Sequence, residues 1–329
     1  MIAHVFTREL GEALLRLGRP VVNVSGVLPD LKIPRVMADH EQVGRLAAGH
    51  FLDRGIRHYG FFGYTNHAFS KGREAGFRRE IERAGFRVSS YLSDDPLHPE
   101  PTGLWRWDED LQRWLVGLPR PVGVLASHDI QGVQLSEACR RTGLRVPDDV
   151  ALLGVDDDDL FCEVARPSLS SVALPGERIG YEAARMLEGL LSGRDRRTAR
   201  RTLLLPSPGV VTRQSSEMLA IDDEDVVAAV RFIRAHAHGP MGVADVLGAV
   251  AVSRRSLERR FRAALGRGLG EEILRVRTEK AKGLLSGTEM PIAQVATNSG
   301  FSETKHLSTV FRREAGVTPT EFRRRSRAR

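Results

Sequence analysis

A guanidinium presents a planar fork of donors that matches the two acceptors on the major-groove edge of guanine. Arg254, Arg255 and Arg259 bring three such forks together in one short segment, flanked by the hydroxyls of Ser253 and Ser256. A second segment, Ser302 to Thr309, offers Ser302, Thr304, Lys305, His306 and Thr309. Hydroxyl, ammonium and imidazole groups suit phosphate oxygens and base edges. The chemistry on offer is recognition of a nucleic acid, provided helices present these side chains outward.

The surrounding pattern predicts such helices. From Val243 to Phe261, the residues Val243, Val246, Leu247 and Val250 form one apolar stripe, as an amphipathic helix requires. Val252 plugs a turn, and Ser253 stands where a side-chain oxygen can accept from the exposed amides of the next helix. Leu257 and Phe261 then face inward. Arg254, Arg255, Ser256, Glu258 and Arg259 are left outward near that helix's start, where a recognition helix meets bases. The segment from Ile292 to Phe311 repeats the device. Ile292, Val295 and Ala296 face inward, Gly300 makes the turn, Ser302 takes the N-cap place, and Phe301, Leu307 and Phe311 pack. Two helix-turn-helix units are therefore expected, at about 241–262 and 290–312. Thr318-Pro-Thr-Glu321 closes the series as a capping box with proline at the first helical position, leading to Phe322 and Arg323.

This tail resembles the AraC-type DNA-binding domain. The resemblance rests on the paired units and on a connecting helix with Arg277, Ala281, Leu284 and Leu285. Gly300-Phe301, Phe311, Gly316 and Pro319-x-x-Phe322-Arg323 add to it. It covers residues 225–325 and implies double-stranded DNA as partner, with one chain reading two successive major-groove segments.

Charge supports that expectation. Residues 222–329 hold 20 Lys and Arg against 13 Asp and Glu, and the remaining chain holds 29 of each. All the excess of +7 lies in the tail, where phosphate binding requires it. A length of 329 residues suggests two or three domains. No run of about eighteen apolar residues occurs, so no membrane partner is expected, and the first residues lack a signal-peptide pattern. Cys139 and Cys162 lie in separate segments without CxxC spacing. A reducing, cytoplasmic setting is expected, with no disulfide.

Ahead of the tail, short apolar runs alternate with helical patterns. Strands are expected at 20–24, 35–38, 58–62, 122–125 and 150–154. Helices are expected at 41–54, 71–84, 105–118, 129–142 and 176–191. That alternation predicts an α/β domain of parallel sheets covered on both faces, with a ligand outside the carboxyl ends of the strands. Asp129 and Asp156 follow two such strands, and Arg73 follows a third. Leu204 to Ser216, rich in Pro, Gly and Ser, reads as a hinge region. The expected division is 1–213 for the α/β domain, 214–224 for a linker and 225–325 for the tail.

The α/β region resembles the sensing domains of LacI-type repressors, which share the two-lobed periplasmic-binding-protein fold. The carriers are Ala126-Ser-His-Asp129, Val146 to Asp156, Pro167 to Val172 and Ile179 to Leu187. The resemblance implies a small sugar as effector, and the pairing with an AraC-type tail implies a pentose such as xylose. It carries sugar contacts onto Arg73, Asp129 and Asp156, and its two lobes imply that Asp129 and Asp156 lie in one and that Arg73 follows a strand of the other. Asn23, Tyr64, Phe69 and His128 are neighbours by position. Asp129 also stands where it could cap its helix, and Arg73 where a surface salt bridge could form. A homodimer is expected, placing two tails on repeated half-sites. The family's domain opens with two further strand-helix units, so Met1 is expected to fall inside the first lobe. A lobe without them would expose an apolar sheet edge.

Other function classes find little. No HExxH, GxSxG or P-loop occurs, so no enzyme and no cofactor is expected. Asp156 to Asp159 suggest a metal, but four adjacent carboxylates cannot all turn to one ion, so none is expected. The rival to a sugar-responsive regulator is a constitutive or partner-controlled DNA-binding protein whose sensing domain holds no sugar.

Overall fold

The computed structural model describes residues 1–28, 30–94, 109–192, 202–315 and 317–327. The chain divides into two compact units, one of residues 1–52 with 56–218, the other of 53–55 with 219–328.

The first unit holds two sheets. Strands β1 (Ile2–Ala3), β2 (Val22–Asn23), β3 (Arg35–Ala38) and β9 (Thr202–Leu205) make a four-stranded parallel sheet in the order β1-β2-β3-β9. The second sheet has six strands: β4 (His58–Tyr64), β5 (Val88–Ser93), β6 (Val122–Ala126), β7 (Val150–Asp156), β8 (Ser170–Ala173) and β10 (Gly209–Val211). Their order is β10-β8-β7-β6-β4-β5, parallel except for β10. The central strands β6 and β7 are apolar along their length and buried on both faces, which only sheets covered on both sides demand. Their cover comes from helices α4 (Glu109–Gly117), α5 (Asp129–Thr142) and α6 (Asp159–Val164), through Leu111, Leu115, Leu135 and Cys162. Helices α2 (His40–Leu52) and α3 (Ala68–Arg83) pack against each other, and Phe51 and Phe77 meet edge to face. Helix α7 (Gly176–Leu191) packs through Ala183 and Met186 on Val22, Val36 and Leu205 of the first sheet. Helix α1 (Arg8–Arg16) is capped by Thr7.

The chain therefore passes between lobes after β3, after β8 and after β9. The segment expected as a plain hinge in fact supplies β9 to one sheet and β10 to the other, ending in a single 3-10 turn at Gln214–Ser216. One expectation is overturned. Strand β4 does not belong to the other lobe: it pairs in parallel with β6, Phe61 opposite Leu125. Arg73, Asp129 and Asp156 thus all rise from one sheet. Buried apolar strands look alike in sequence, and nothing local marks which sheet each joins. The expected helix from Trp105 is observed from Glu109; its first residues, and Gly316, lie outside the described residues.

The second unit is helical: α8 (Glu224–His236), α9 (Val243–Gly248), α10 (Arg254–Leu265), α11 (Leu269–Gly287), α12 (Ile292–Asn298), α13 (Thr304–Ala315) and α14 (Pro319–Arg327). Two cores share α11. Leu269 and Ile273 enter one with Val230, Ile233, Val246, Leu257 and Phe261. Ala281 and Leu285 enter the other with Val295, Phe301, Leu307 and Phe311. Phe322 of α14 closes the second edge to face on Phe311, at 5.3 Å between ring centroids.

Candidate effector and DNA-contact sites

The first site gathers at the carboxyl ends of β4, β6 and β7. Asp156 ends β7 with φ 125°, and Asp157 follows with φ 61°. Two successive non-glycine residues at positive φ are strained, costing about 1–3 kcal/mol each, and persist only where surrounding bonds hold them. The bonds are explicit. Asp129 has no exposed surface, and its carboxylate accepts from the Asp158 amide at 2.9 Å and from Ser171 Oγ at 2.6 Å. The Asp157 amide donates to Ser171 Oγ at 3.0 Å, and the Asp157 carboxylate accepts from Arg213 Nη1 at 2.8 Å. Asp158 caps α6 through Leu160 N. Gly154 makes room for this arrangement, since a Cβ there would lie 2.1 Å from Asp129 Oδ1. Burial pushes the Asp129 carboxyl above its ordinary range, against the pull of the Ser171 and Asp158 hydrogen bonds.

The turn aims Asp156 at an arginine and a histidine. Arg73 Nη2 lies 3.4 Å from Asp156 Oδ1, and His128 Nε2 lies 3.0 Å from Asp156 Oδ2. Arg73 is 2% exposed, donates to the Ser127 carbonyl, and sits with its guanidinium carbon 4.8 Å from the centre of the Phe69 ring. Tyr64 and His67 extend that aromatic wall, their rings 5.0 Å apart. From the first sheet, the loop after β2 reaches across, and Val27 packs with Tyr64 and Phe69. Asn23 holds the base of that loop by accepting from Val5 N and Ser25 N. His40 sits where the chain crosses between lobes, near Gly26 on one side and Gly72 on the other. Neither of its ring nitrogens has a hydrogen-bond partner among the described residues. Burial, then the charge of Arg73, lower its pKa to about 3.

Of the expected effector residues, Arg73 and Asp156 touch each other. Asp129 stands behind them: its carboxylate is spent on the turn and caps the 156–158 loop rather than its own helix. Arg73 is no surface group. Of the four adjacent aspartates, Asp156 faces Arg73 and His128, Asp158 caps α6, and Asp157 and Asp159 share Arg213; among the described residues no cluster of three or more His, Cys, Asp or Glu could hold a metal. His40 escaped sequence reasoning. Its signal was only a histidine at a strand-to-helix junction.

The second site lies on the two recognition helices. Ser253 caps α10, accepting from Ser256 N at 3.4 Å. Leu257, Phe261 and Leu265 are buried, while Arg254, Arg255, Arg259 and Arg262 are exposed and, with Glu258, share one outward face of α10. Arg260 turns the other way, onto Asp223 and Asp225 at 2.5 Å each. Arg262 was missed in sequence, though its spacing from Arg255 and Arg259 puts it on their face. In the second unit α13 begins at Thr304, so Glu303 and not Ser302 stands at the flanking position. The expected cap was one residue early: Phe301 packs as Val252 does, and the second unit carries one more residue between that position and the start of its helix. Thr304, Lys305, His306 and Thr309 are exposed, as is Ser302. His306 rests edge-on against Phe301 at 5.5 Å. Thr309 Oγ1 donates to the Lys305 carbonyl at 3.0 Å.

The two helix-turn-helix units are set by α11. Arg277 Nε donates to the Ala237 carbonyl at 2.7 Å, and its Nη2 to Gly239 and Met241 at 3.2 and 2.7 Å. Gly300, with φ 85°, lies so close that a Cβ would meet the Ala237 carbonyl oxygen at 2.1 Å. The turn of the second unit is thereby docked on the end of α8.

Comparison with known proteins agrees with both halves. Residues 48–216 match the family described as periplasmic binding protein-like domain, and residues 247–325 match a helix-turn-helix domain family. The xylose operon regulatory protein of Escherichia coli K12 is 28% identical over 330 residues, spanning 98% of this chain and 83% of that protein. Its counterpart in Haemophilus influenzae is 28% identical over 88% of this chain and 74% of its own. A solved xylose-binding transcription activator superposes with a TM-score of 0.59 at 26% identity, covering 98% of this chain and 85% of its own.

Proposed function

The chain belongs to the family of periplasmic binding protein-like domains, and from that premise we propose that it is a transcription regulator whose DNA binding responds to a pentose. It is a sugar-responsive DNA-binding regulator and not an enzyme; the relatives it matches are regulators by name. The observation that carries the effector reading is the strained turn at Asp156 and Asp157. It faces a buried arginine, a histidine and an aromatic wall at the carboxyl ends of three strands. A carboxylate flanked by two donors suits vicinal hydroxyls, and the Phe69 ring suits the C–H face of a sugar. Arg73 and Asp156 are the contacts proposed, with Asp129 acting through the turn. Xylose is the first pentose to try, because relatives carry it in their names.

A sugar that binds one arrangement of the lobes better than another shifts the population toward it, and DNA affinity shifts only by that difference. A homodimer would set two tails on repeated half-sites. The test is thermal unfolding against a panel of pentoses and hexoses. A ligand specific for the folded state at a hundredfold excess over its Kd adds about 2.7 kcal/mol. A raised midpoint with a pentose, lost on Asp156→Ala, is expected. No shift with any sugar would favour a regulator controlled constitutively or by a partner.

A further inference from the structure

We infer that Glu258 reads a cytosine amino group next to the guanine contacted by Arg254, so that α10 selects sequence with an acid as well as with arginines. The inference rests on α10 being the recognition helix of the first unit. Five of the twelve residues of α10 are arginine, and Glu258 is its one acid. It lies on the outward face, 45% exposed by side chain, among Arg254, Arg255, Arg259 and Arg262. On a surface meant for a polyanion, a carboxylate repels phosphate and lowers affinity for every sequence alike.

Helix stability does not account for it. An exposed pair four residues apart contributes about 0.3–0.5 kcal/mol, and the order here, base before acid, is the weaker one. The first turn of α10 carries no acid and two arginines, the arrangement that the helix dipole disfavours. The helix is charged against its own stability at the end that meets DNA.

The geometry does fit base recognition. Arg254 Nε donates to Glu258 Oε1 at 2.9 Å. That bond uses the inner edge of the guanidinium and leaves its two terminal nitrogens for the paired acceptors of guanine. It also leaves Glu258 Oε2 to accept. In the major groove a carboxylate is matched by the amino group of cytosine and opposed by the acceptors of guanine. Glu258 is at once a reader and the brace for Arg254.

The test is selection from a random duplex library by the full-length protein and its Glu258→Gln, Glu258→Ala and Arg259→Ala variants. The wild-type protein should select cytosine at one position beside a guanine. Glu258→Gln, which donates as well as accepts, should turn that position toward adenine. Glu258→Ala should flatten it, with discrimination falling roughly 5- to 150-fold, while binding to random DNA tightens. If both Glu258 variants select the wild-type sequence while Arg259→Ala alters it, Glu258 is no reader and the inference falls. If no variant alters the sequence, α10 does not read bases, and the recognition reading falls with it. Unchanged melting of Glu258→Ala separates lost contact from lost fold.

Discussion

The carboxylate of Asp129 accepts the backbone amide of Asp158 at 2.9 Å, across 29 positions of sequence. Through this bond and the one from Ser171, the first residue of one helix holds the turn at the end of the neighbouring strand. Asp156 can then face Arg73 and His128 despite an unfavourable backbone.

Asp129→Ala is expected to lower the stability of the sensing unit by about 3 kcal/mol, since it strands a buried amide and hydroxyl. Ser171→Ala should cost about 1 kcal/mol. Both should weaken the effector response before they weaken DNA binding. Denaturant melts of the purified protein, with fluorescence anisotropy on labelled DNA, give the two readings. An Asp129→Ala protein that melts normally would mean the turn holds itself.

His40 should make stability pH-dependent. Its folded pKa is depressed by burial and by the charge of Arg73, from 6.5 to about 3. The unfolded chain therefore binds a proton between those values while the folded chain does not. Stability is full above pH 6.5 and falls as pH drops, by up to about 1.4 kcal/mol per unit through this one group. His40→Gln should flatten the difference between melts at pH 7 and pH 5. Equal slopes in the two proteins would count against a neutral, buried His40.

Gly300→Ala should destabilise the DNA-binding unit by about 2 kcal/mol or more, because it adds a Cβ at positive φ against the Ala237 carbonyl. Arg277→Ala frees three carbonyls from their donor and should cost a similar amount. Hydrogen exchange should locate the loss in α12 and α13. Protection unchanged there would show that the second unit stands without this docking.

The exposed arginines should separate by kind. Arg255→Ala should weaken binding to the selected sequence by about 1–3 kcal/mol and relax one base position. Arg262, two turns into α10, is expected to meet phosphate. Its alanine variant should weaken all sequences alike and reduce the slope of log affinity against log salt by about 0.9. Salt titrations on selected and random duplexes distinguish the two patterns.

Much of this protein is determined by sequence alone because much of it is local. The stripe of Val246, Leu257 and Phe261, the Ser253 cap, the Gly300 turn and the Thr318–Glu321 capping box each act within a few residues. Two recognition helices and their outward side chains were therefore legible. So were the strands at Val122 and Val150, whose apolar runs admit few alternatives. What only the tertiary structure decided involves partners distant in sequence. Pairing of β4 with β6 moved Arg73 into the lobe of Asp129 and Asp156. Asp129 found Asp158 and Ser171, and became a support instead of a contact. His40 met Gly26 and Gly72 only at the crossing between sheets, and Arg277 reached the end of α8. A side chain's type says which bonds it can make. Which bonds it does make depends on what the folded chain brings within 3 Å or so of it, and residue spacing carries that information only over a helical turn or a strand's alternation.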